Sequence, residues 1–325
     1  YFPKFISGPI LSITEFKTQL NTIAVTSQSF AIGFNRLLLG VFKKMVIADR
    51  LAPSVASIFD YGSNYAGITS ITGAYLFTIQ LYFDFSAYTD IALGASKMLG
   101  FDLKENFNFP FRATSLSDYW RRWHISLINW FTNYIFYPIV YKYRKHKKRA
   151  ALIGIILTFL VSGIWHGIGL TFLVYASLHC IYLCVELLTK NKRNKFKSYF
   201  NPAVFNVFAI CIVFNLVTLG NVFFRSASLQ NAIQLIKNCS APSHFLPTNF
   251  LNDFVAPLAV GGHQLEQFNL LVSVLLAILF LFFEKKIMKV VTTSKVSIAF
   301  TSILLVLLFL FGMFNSAQQF IYIQF

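Results

Sequence analysis

Charge is scarce in this chain: Asp, Glu, Lys and Arg together fill 12% of its 325 positions, where a soluble domain carries roughly 25%. That shortage excludes an ordinary water-soluble globule. Acidic residues are the rarer sign, 12 against 28 basic ones. The resulting charge of +16 does not point to nucleic acid, because no basic stripe is interleaved with stacking aromatics on a polar surface. Cysteine occurs four times, with neither a CxxC nor an HxxxH spacing, so neither a disulfide framework nor a structural metal site is expected. Cys180 and Cys184 share a helix face at four-residue spacing, which is a packing pattern. No internal repeat or low-complexity tract is present, and Gly, Pro and Ser gather only modestly around Ser240–Gly262. A single transmembrane domain over residues 1–325 is therefore expected. A signal-peptide layout is also missing, since Pro3, Gly8, Pro9 and charges interrupt the first 20 residues. Starting at Tyr1, the chain reads as a fragment without its N-terminal part.

What is abundant is apolar surface: 56% of residues are hydrophobic, and phenylalanine alone accounts for 38. The expected class is an all-α, polytopic integral membrane protein in contact with membrane lipid. At about 20 residues per crossing, the clearest spans are Ala203–Phe224, Phe268–Phe283 and Val296–Phe314. Less sharply bounded are Ile23–Val41 and Ile68–Phe85, the latter followed by a second helix toward Leu99. Basic residues cluster at Lys142–Arg149, Lys190–Lys197 and Lys285–Lys295, the positive-inside pattern of cytoplasmic loops. Between Arg225 and Gln267 only Arg225 and Lys237 are basic. That stretch belongs on the opposite side, as a loop preceded by one short helix.

One apolar block holds an anomaly. SGIWHG, residues 162–167, places an imidazole inside the run from Ala150 to Val185, and a titratable group at membrane depth needs a partner, a cavity or a substrate path. Basic clusters at both ends of Ala150–Thr189 imply an even number of crossings, with the reversal near Gly163, Gly167 and Gly169. A helix from Ala150 to His166 rises roughly 24 Å, short of the roughly 30 Å hydrocarbon core. His166 is thus expected near the apex, below the far surface.

A second histidine stands in ENFNFPFRATSLSDYWRRWHISL, residues 105–127. Pro110 ends any preceding helix, and Ser115 with Asp118 three residues on is a capping arrangement for a new one. Helical spacing puts Trp120, Trp123, His124 and Leu127 on one face and brings Asp118 within reach of Arg121 or Arg122. Such a helix lies at an interface or at the mouth of a cavity. Asp84 and Asp90, six apart, do not share a face and are expected to pair with an arginine or cap a broken helix. His179 is expected to pack or bond within its own helix, His146 to be solvated in a basic loop, and His244 and His263 to lie exposed in the outer loop.

Taken in order, YFPKFISGPI, YFDFSAYTDIALGASKMLGFDLKENFNFPFRATSLSDYWRRWHISL, SGIWHG, NVFFRSASLQNA and QQFIYIQF resemble the membrane-bound O-acyltransferases, in particular their alginate O-acetyltransferase-like bacterial branch. The resemblance implies a multi-helix bundle with re-entrant or short helices around a central cavity, in the inner (cytoplasmic) membrane. It also implies transfer of an acyl group from a cytoplasmic thioester donor to a hydroxyl of an extracytoplasmic glycan, with His166 and His124 at the transfer centre. Acetyl-CoA is the implied donor substrate, with no bound cofactor, and a separate extracytoplasmic acetyltransferase is a possible partner. After Phe136–Pro138 the chain reads IVYKYRKHKKRA, where the alginate branch usually has a glycine- and asparagine-containing loop. The related alternative is D-alanyl transfer to teichoic acid; transporters and export scaffolds are the readings outside this class.

The chemistry suits these residues. An imidazole whose ordinary pKa is near 6.5 accepts a proton from an alcohol at neutral pH, which makes His166 the expected general base. His124 orients the acceptor or donates to the developing oxyanion, or the two exchange roles. Arg121 or Arg122 is expected to meet anionic parts of a substrate. Trp120, Trp123 and Trp165 suit either the wall of the site or interfacial anchoring. No serine or cysteine lies in a nucleophile motif, so a covalent acyl-enzyme is not required.

Overall fold

The computed structural model describes residues 13–21, 23–62, 65–240, 264–293, 298–314 and 320–321. The described residues contain helices and no strands. They group into two units, one from residues 1–106 and 237–325, the other from Phe107 to Ile236.

In the first unit, α1 (Ile13–Leu20) precedes α2 (Ser27–Phe42), which starts on a capping box at Thr26. A π-helical stretch, Lys43–Ala48, carries α2 into α3 (Asp49–Asp60). The region expected as a span to Phe85 plus a second helix is one continuous helix, α4 (Ile68–Met98), of 31 residues. Nothing in its interior breaks it, since it contains no proline. Small residues bring α2 and α4 together: a Cβ on Gly33 would lie 2.6 Å from the Gly94 carbonyl oxygen, and one on Gly40 2.7 Å from that of Ala87. Only glycine permits that approach, as in other small-residue helix crossings.

Across the same contact lies a buried ion network. Asp90 accepts from Arg36 Nε at 2.6 Å and Lys43 Nζ at 2.7 Å, while Lys44 lies 2.8 Å from both Asp49 and Asp84. The expected arginine partner of Asp90 is therefore present. Asp84 pairs with a lysine instead and accepts from the Ile321 amide at 2.7 Å. The helix expected from Phe268 is longer, α12 (Gln264–Thr292). The next, α13 (Ile298–Phe311), has 14 residues and stops short of the expected Phe314. Arg50 of α3 ends it by donating to the Phe311 and Gly312 carbonyls at 2.9 and 3.0 Å, which satisfies orphan groups of the last turn.

In the second unit a 3-10 turn (Pro110–Arg112) leads to α5 (Leu116–Trp120), α6 (Ile125–Phe131) and α7 (Tyr137–Lys142). Three long helices follow: α8 (Lys147–His166), α9 (Leu170–Lys197) and α10 (Pro202–Arg225). The amphipathic α11 (Leu229–Cys239) then leads to residues 241–263, which lie outside the described set together with His244 and His263. Among the described residues, four helices are long and apolar enough to cross a membrane, at Arg144–His166, Leu170–Lys197, Pro202–Arg225 and Leu265–Thr292. Apolar side chains such as Ile156, Leu160 and Ile164 of α8 and Val204 and Phe208 of α10 face outward. Exposure on that scale fits lipid as the solvent. The expected reversal between the two basic clusters is the α8–α9 hairpin.

Candidate active site

His166 is the last residue of α8, 7% exposed. Its ring is walled by Phe224 at 5.3 Å, Tyr175 at 6.0 Å and Phe172 at 6.4 Å between centroids, with Trp165 crossing it at 4.9 Å. The turn that follows depends on Gly167, at φ 156° and ψ 161°. A Cβ there would meet the Phe172 ring at 2.6 Å. Glycine thus both makes the reversal and lets Phe172 fold back against the imidazole.

His124 reaches the same unit by a different route from the one its sequence suggests. The expected helix through Leu127 does not form: α5 ends at Trp120, and residues 121–124 are a turn. His124 itself is left-handed, at φ 44° and ψ 51°, and starts α6. Histidine is among the side chains that enter this region more readily than most. The turn is held by reciprocal bonds with Asn108, whose amide donates to the Arg122 carbonyl at 2.9 Å and whose carbonyl accepts from Arg122 Nη1 at 3.1 Å. Trp120, Trp123, His124 and Leu127 are all buried nonetheless. A bent segment has done what one helix face was expected to do.

The N-terminus of α5 is fixed twice. Ser115 Oγ accepts from the Asp118 amide at 3.1 Å, as the capping pattern predicts. Glu186 of α9 adds what sequence reasoning missed, accepting from the Leu116 amide at 2.8 Å and from the Ser117 hydroxyl. No local motif marks it, because its partners are about 70 residues away in the chain.

The predicted binding residues separate into two groups. Trp120 and Trp123 are buried: Trp120 meets Phe159 at 5.4 Å, and Trp123 stacks on Tyr119 at 5.7 Å. Trp165 is 54% exposed beside His166. Asp118 pairs with Arg122 at 3.0 Å and Arg121 at 3.4 Å; the Arg121 side chain is largely exposed and that of Arg122 partly covered. His179, expected to pack or bond within its own helix, packs there against Tyr175 and Tyr182 and is enclosed further by Trp120 of α5 and Phe159 of α8.

Both candidate histidines are buried in the same unit. His124 lies in the turn between α5 and α6, outside the four long apolar helices. Burial lowers its pKa to about 3, and His166 acts in the same direction. Among the described residues no group of three His, Cys, Asp or Glu side chains converges as a metal shell would. The arrangement is one imidazole in an aromatic enclosure at the apex of a hairpin and a second buried in the turn between α5 and α6.

Residues 1–226 match the model of the MBOAT, membrane-bound O-acyltransferase, family. The chain belongs to this family. Among its relatives, a peptidoglycan O-acetyltransferase of Helicobacter pylori is 34% identical over 73% of this chain and 44% of its own length. A probable alginate O-acetylase of Pseudomonas syringae is 36% identical over 71% of this chain and 43% of its own. A teichoic acid D-alanyltransferase of Bacillus subtilis is 28% identical over 69% and 59%. The chain thus spans less than half the length of the two O-acetylating relatives. In this membrane-bound O-acyltransferase chain the matched region ends at Ser226, one residue beyond α10, and contains both candidate histidines.

Proposed function

We propose that this chain is the acyl-transfer core of an O-acetyltransferase in the cytoplasmic membrane, moving acetyl from a thioester to a hydroxyl of an extracytoplasmic glycan. His166 takes the hydroxyl proton as that oxygen attacks the thioester carbonyl. The carbon–sulfur bond breaks as the carbon–oxygen bond forms, and the imidazolium returns the proton to the departing thiolate. His124, as a neutral N–H donor, steadies the oxyanion or holds the acceptor. Acetyl-CoA or another acyl thioester is the donor substrate, and a separate extracytoplasmic protein that finishes the transfer belongs to the same reading.

The observation that carries this is His166, a buried imidazole at the apex of the α8–α9 hairpin within a wall of aromatic rings, with His124 buried in the same unit. The α8–α9 hairpin supports the sidedness, with basic residues at the start of α8 and the end of α9 and His166 at the opposite end. Acetyl is favoured over D-alanyl because the O-acetylating relatives are the more similar, at 34% and 36% identity against 28%.

The test is the ester content of isolated surface glycans, released by mild base and identified by mass. Cells would carry wild type, His166→Ala, His124→Ala or no copy, at matched membrane levels. Loss of acetate with His166→Ala equal to that on deletion is the expected result, and the fraction that loses it identifies the acceptor. Alanine in its place would establish the D-alanyl reading. Esters retained in every fraction without His166 would refute the catalytic assignment.

A further inference from the structure

The cations that precede α8 are unmatched within their unit. Between Phe107 and Ile236 the acidic residues are Asp118 and Glu186. Both are engaged, Asp118 by Arg121 and Arg122, and Glu186 by the start of α5 and Arg193. Yet six basic side chains stand between Lys142 and Arg149, all of them exposed. They are arranged in two ways. Lys142 lies over the Tyr143 ring at 5.6 Å and Arg144 over the Tyr141 ring at 4.7 Å. Lys147, Lys148 and Arg149, together with His146, line an open pocket of about 470 Å³.

The pocket stands where the hydrocarbon ends. Ala150, directly after Arg149, is buried and opens the apolar run of α8. From there His166 is about 24 Å away along the helix, so the pocket lies at headgroup level, at the end opposite the histidine. Close packing fixes its surroundings: a Cβ on Gly154 would lie 2.8 Å from the Phe136 ring and 3.5 Å from Val140. That approach seats α7, and with it Tyr141 and Tyr143, against the start of α8, and tyrosine is favoured at a membrane–water interface. The first turn of α8 has neither an acidic residue nor a side-chain cap, so the helix dipole adds to the positive field. Immediately inward, Ile153, Ile156 and Leu160 are exposed on one face of α8. A positive pocket bordered by an apolar strip matches a ligand that carries a phosphodiester on acyl chains. Soluble phosphate leaves the strip uncovered, and a zwitterionic headgroup brings a cation to a pocket that already holds three.

We propose that this pocket holds the headgroup of an anionic phospholipid, with the phosphate among Lys147, Lys148 and Arg149 and the acyl chains along Ile153, Ile156 and Leu160. The lipid is then a fixed ligand at the corner of α7 and α8, not part of a diffuse annulus drawn to basic loops. Each cation near the surface strengthens attraction to anionic lipid by about fivefold, so three together are worth on the order of 100-fold. The basic residues at the end of α9 meet the same surface and serve as the control. The inference stands apart from the acetyl-transfer reading.

The first measurement needs no variant. Amide hydrogen exchange of the whole chain is compared in nanodiscs of phosphatidylcholine alone and of phosphatidylcholine with phosphatidylglycerol. Slower exchange over residues 144–150 in the anionic discs, not matched over residues 190–197, is expected; equal exchange in the two bilayers overturns the site. Native mass spectrometry then counts the lipids retained on chains released from the mixed discs. Lys147→Gln, Lys148→Gln and Arg149→Gln combined should weaken phosphatidylglycerol retention on the order of 100-fold. Lys190→Gln, Lys192→Gln and Lys195→Gln combined remove the same charge and should leave most of it. Equal loss in the two triple variants shows diffuse attraction, and full retention in the first shows binding elsewhere; either overturns the proposal. If the first triple variant fails to insert, the exchange comparison on the wild-type chain decides. Protection that inorganic phosphate or free coenzyme A removes from the wild-type chain identifies a soluble phosphate ligand and overturns the assignment to lipid.

Discussion

Replacing Gly167 with alanine tests whether the hairpin apex positions His166 for the proposed role of general base. The backbone there is at φ 156° and ψ 161°, a region open essentially only to glycine, where another residue costs about 1–3 kcal/mol. The new methyl would also stand 2.6 Å from one Phe172 ring carbon and 2.7 Å from another, so the ring or the turn must move. Phe172 stacks on His166 at 6.4 Å and meets Phe224 at 5.4 Å, and displacement therefore passes directly to the imidazole. If that strain is relieved by leaving the working geometry, transfer falls roughly 5- to 160-fold. Gly169 is the internal control. Its φ is −71° and its nearest new contact would be 3.5 Å away, at Thr171 Oγ1, so alanine is accommodated there. The assay is ester-linked acetate on surface glycans per unit of membrane-inserted protein. Equal activity in Gly167→Ala and Gly169→Ala would refute the argument.

Three further outcomes are expected. Because burial holds the His124 pKa at about 3 against an ordinary 6.5, the unfolded chain takes up a proton that the folded one refuses. Its contribution is therefore intact above pH 6.5 and declines by about 1.4 kcal/mol per unit as pH falls toward 3. Thermal melts of wild type and His124→Gln in detergent should diverge over that window, and parallel curves would count against it. Asp90→Asn strips Lys43 and Arg36 of a buried carboxylate and should destabilise by about 3–5 kcal/mol. Asp102→Asn, at the exposed pair with Lys97, should shift the same melt by less than about 1 kcal/mol. Glu186→Gln weakens the cap on α5 by about 1–2 kcal/mol. Its transfer rate should fall while α8 and α9 stay inserted; a rate equal to wild type would show that α5 needs no such anchor.

Much of the fold was legible because lipid imposes a simple rule: a crossing needs a long uncharged apolar run. The α8–α9 hairpin, α10 and the region of α12 follow from that rule and from the basic clusters that bound them. Errors fell where the boundary was set by a partner distant in sequence. Arg50 closes α13 from α3, and α4 stays continuous beside α2, where glycines permit a close approach. Neither event leaves a local mark.

The candidate site divides along the same line. Sequence alone determined that His166 sits at the apex of a membrane hairpin, because glycine spacing and flanking charge are local properties. It also determined the family, through motifs that run in order along the chain. Tertiary structure decided how His124 is buried: a left-handed residue in a turn held by Asn108 and Arg122 replaces the expected helix face. It decided the Glu186 anchor and the enclosure of His179 as well, since both depend on side chains that only packing brings together. Periodicity states which way a regular helix points; a turn at Arg121–His124 has no period, so its direction is set by the contacts that hold it.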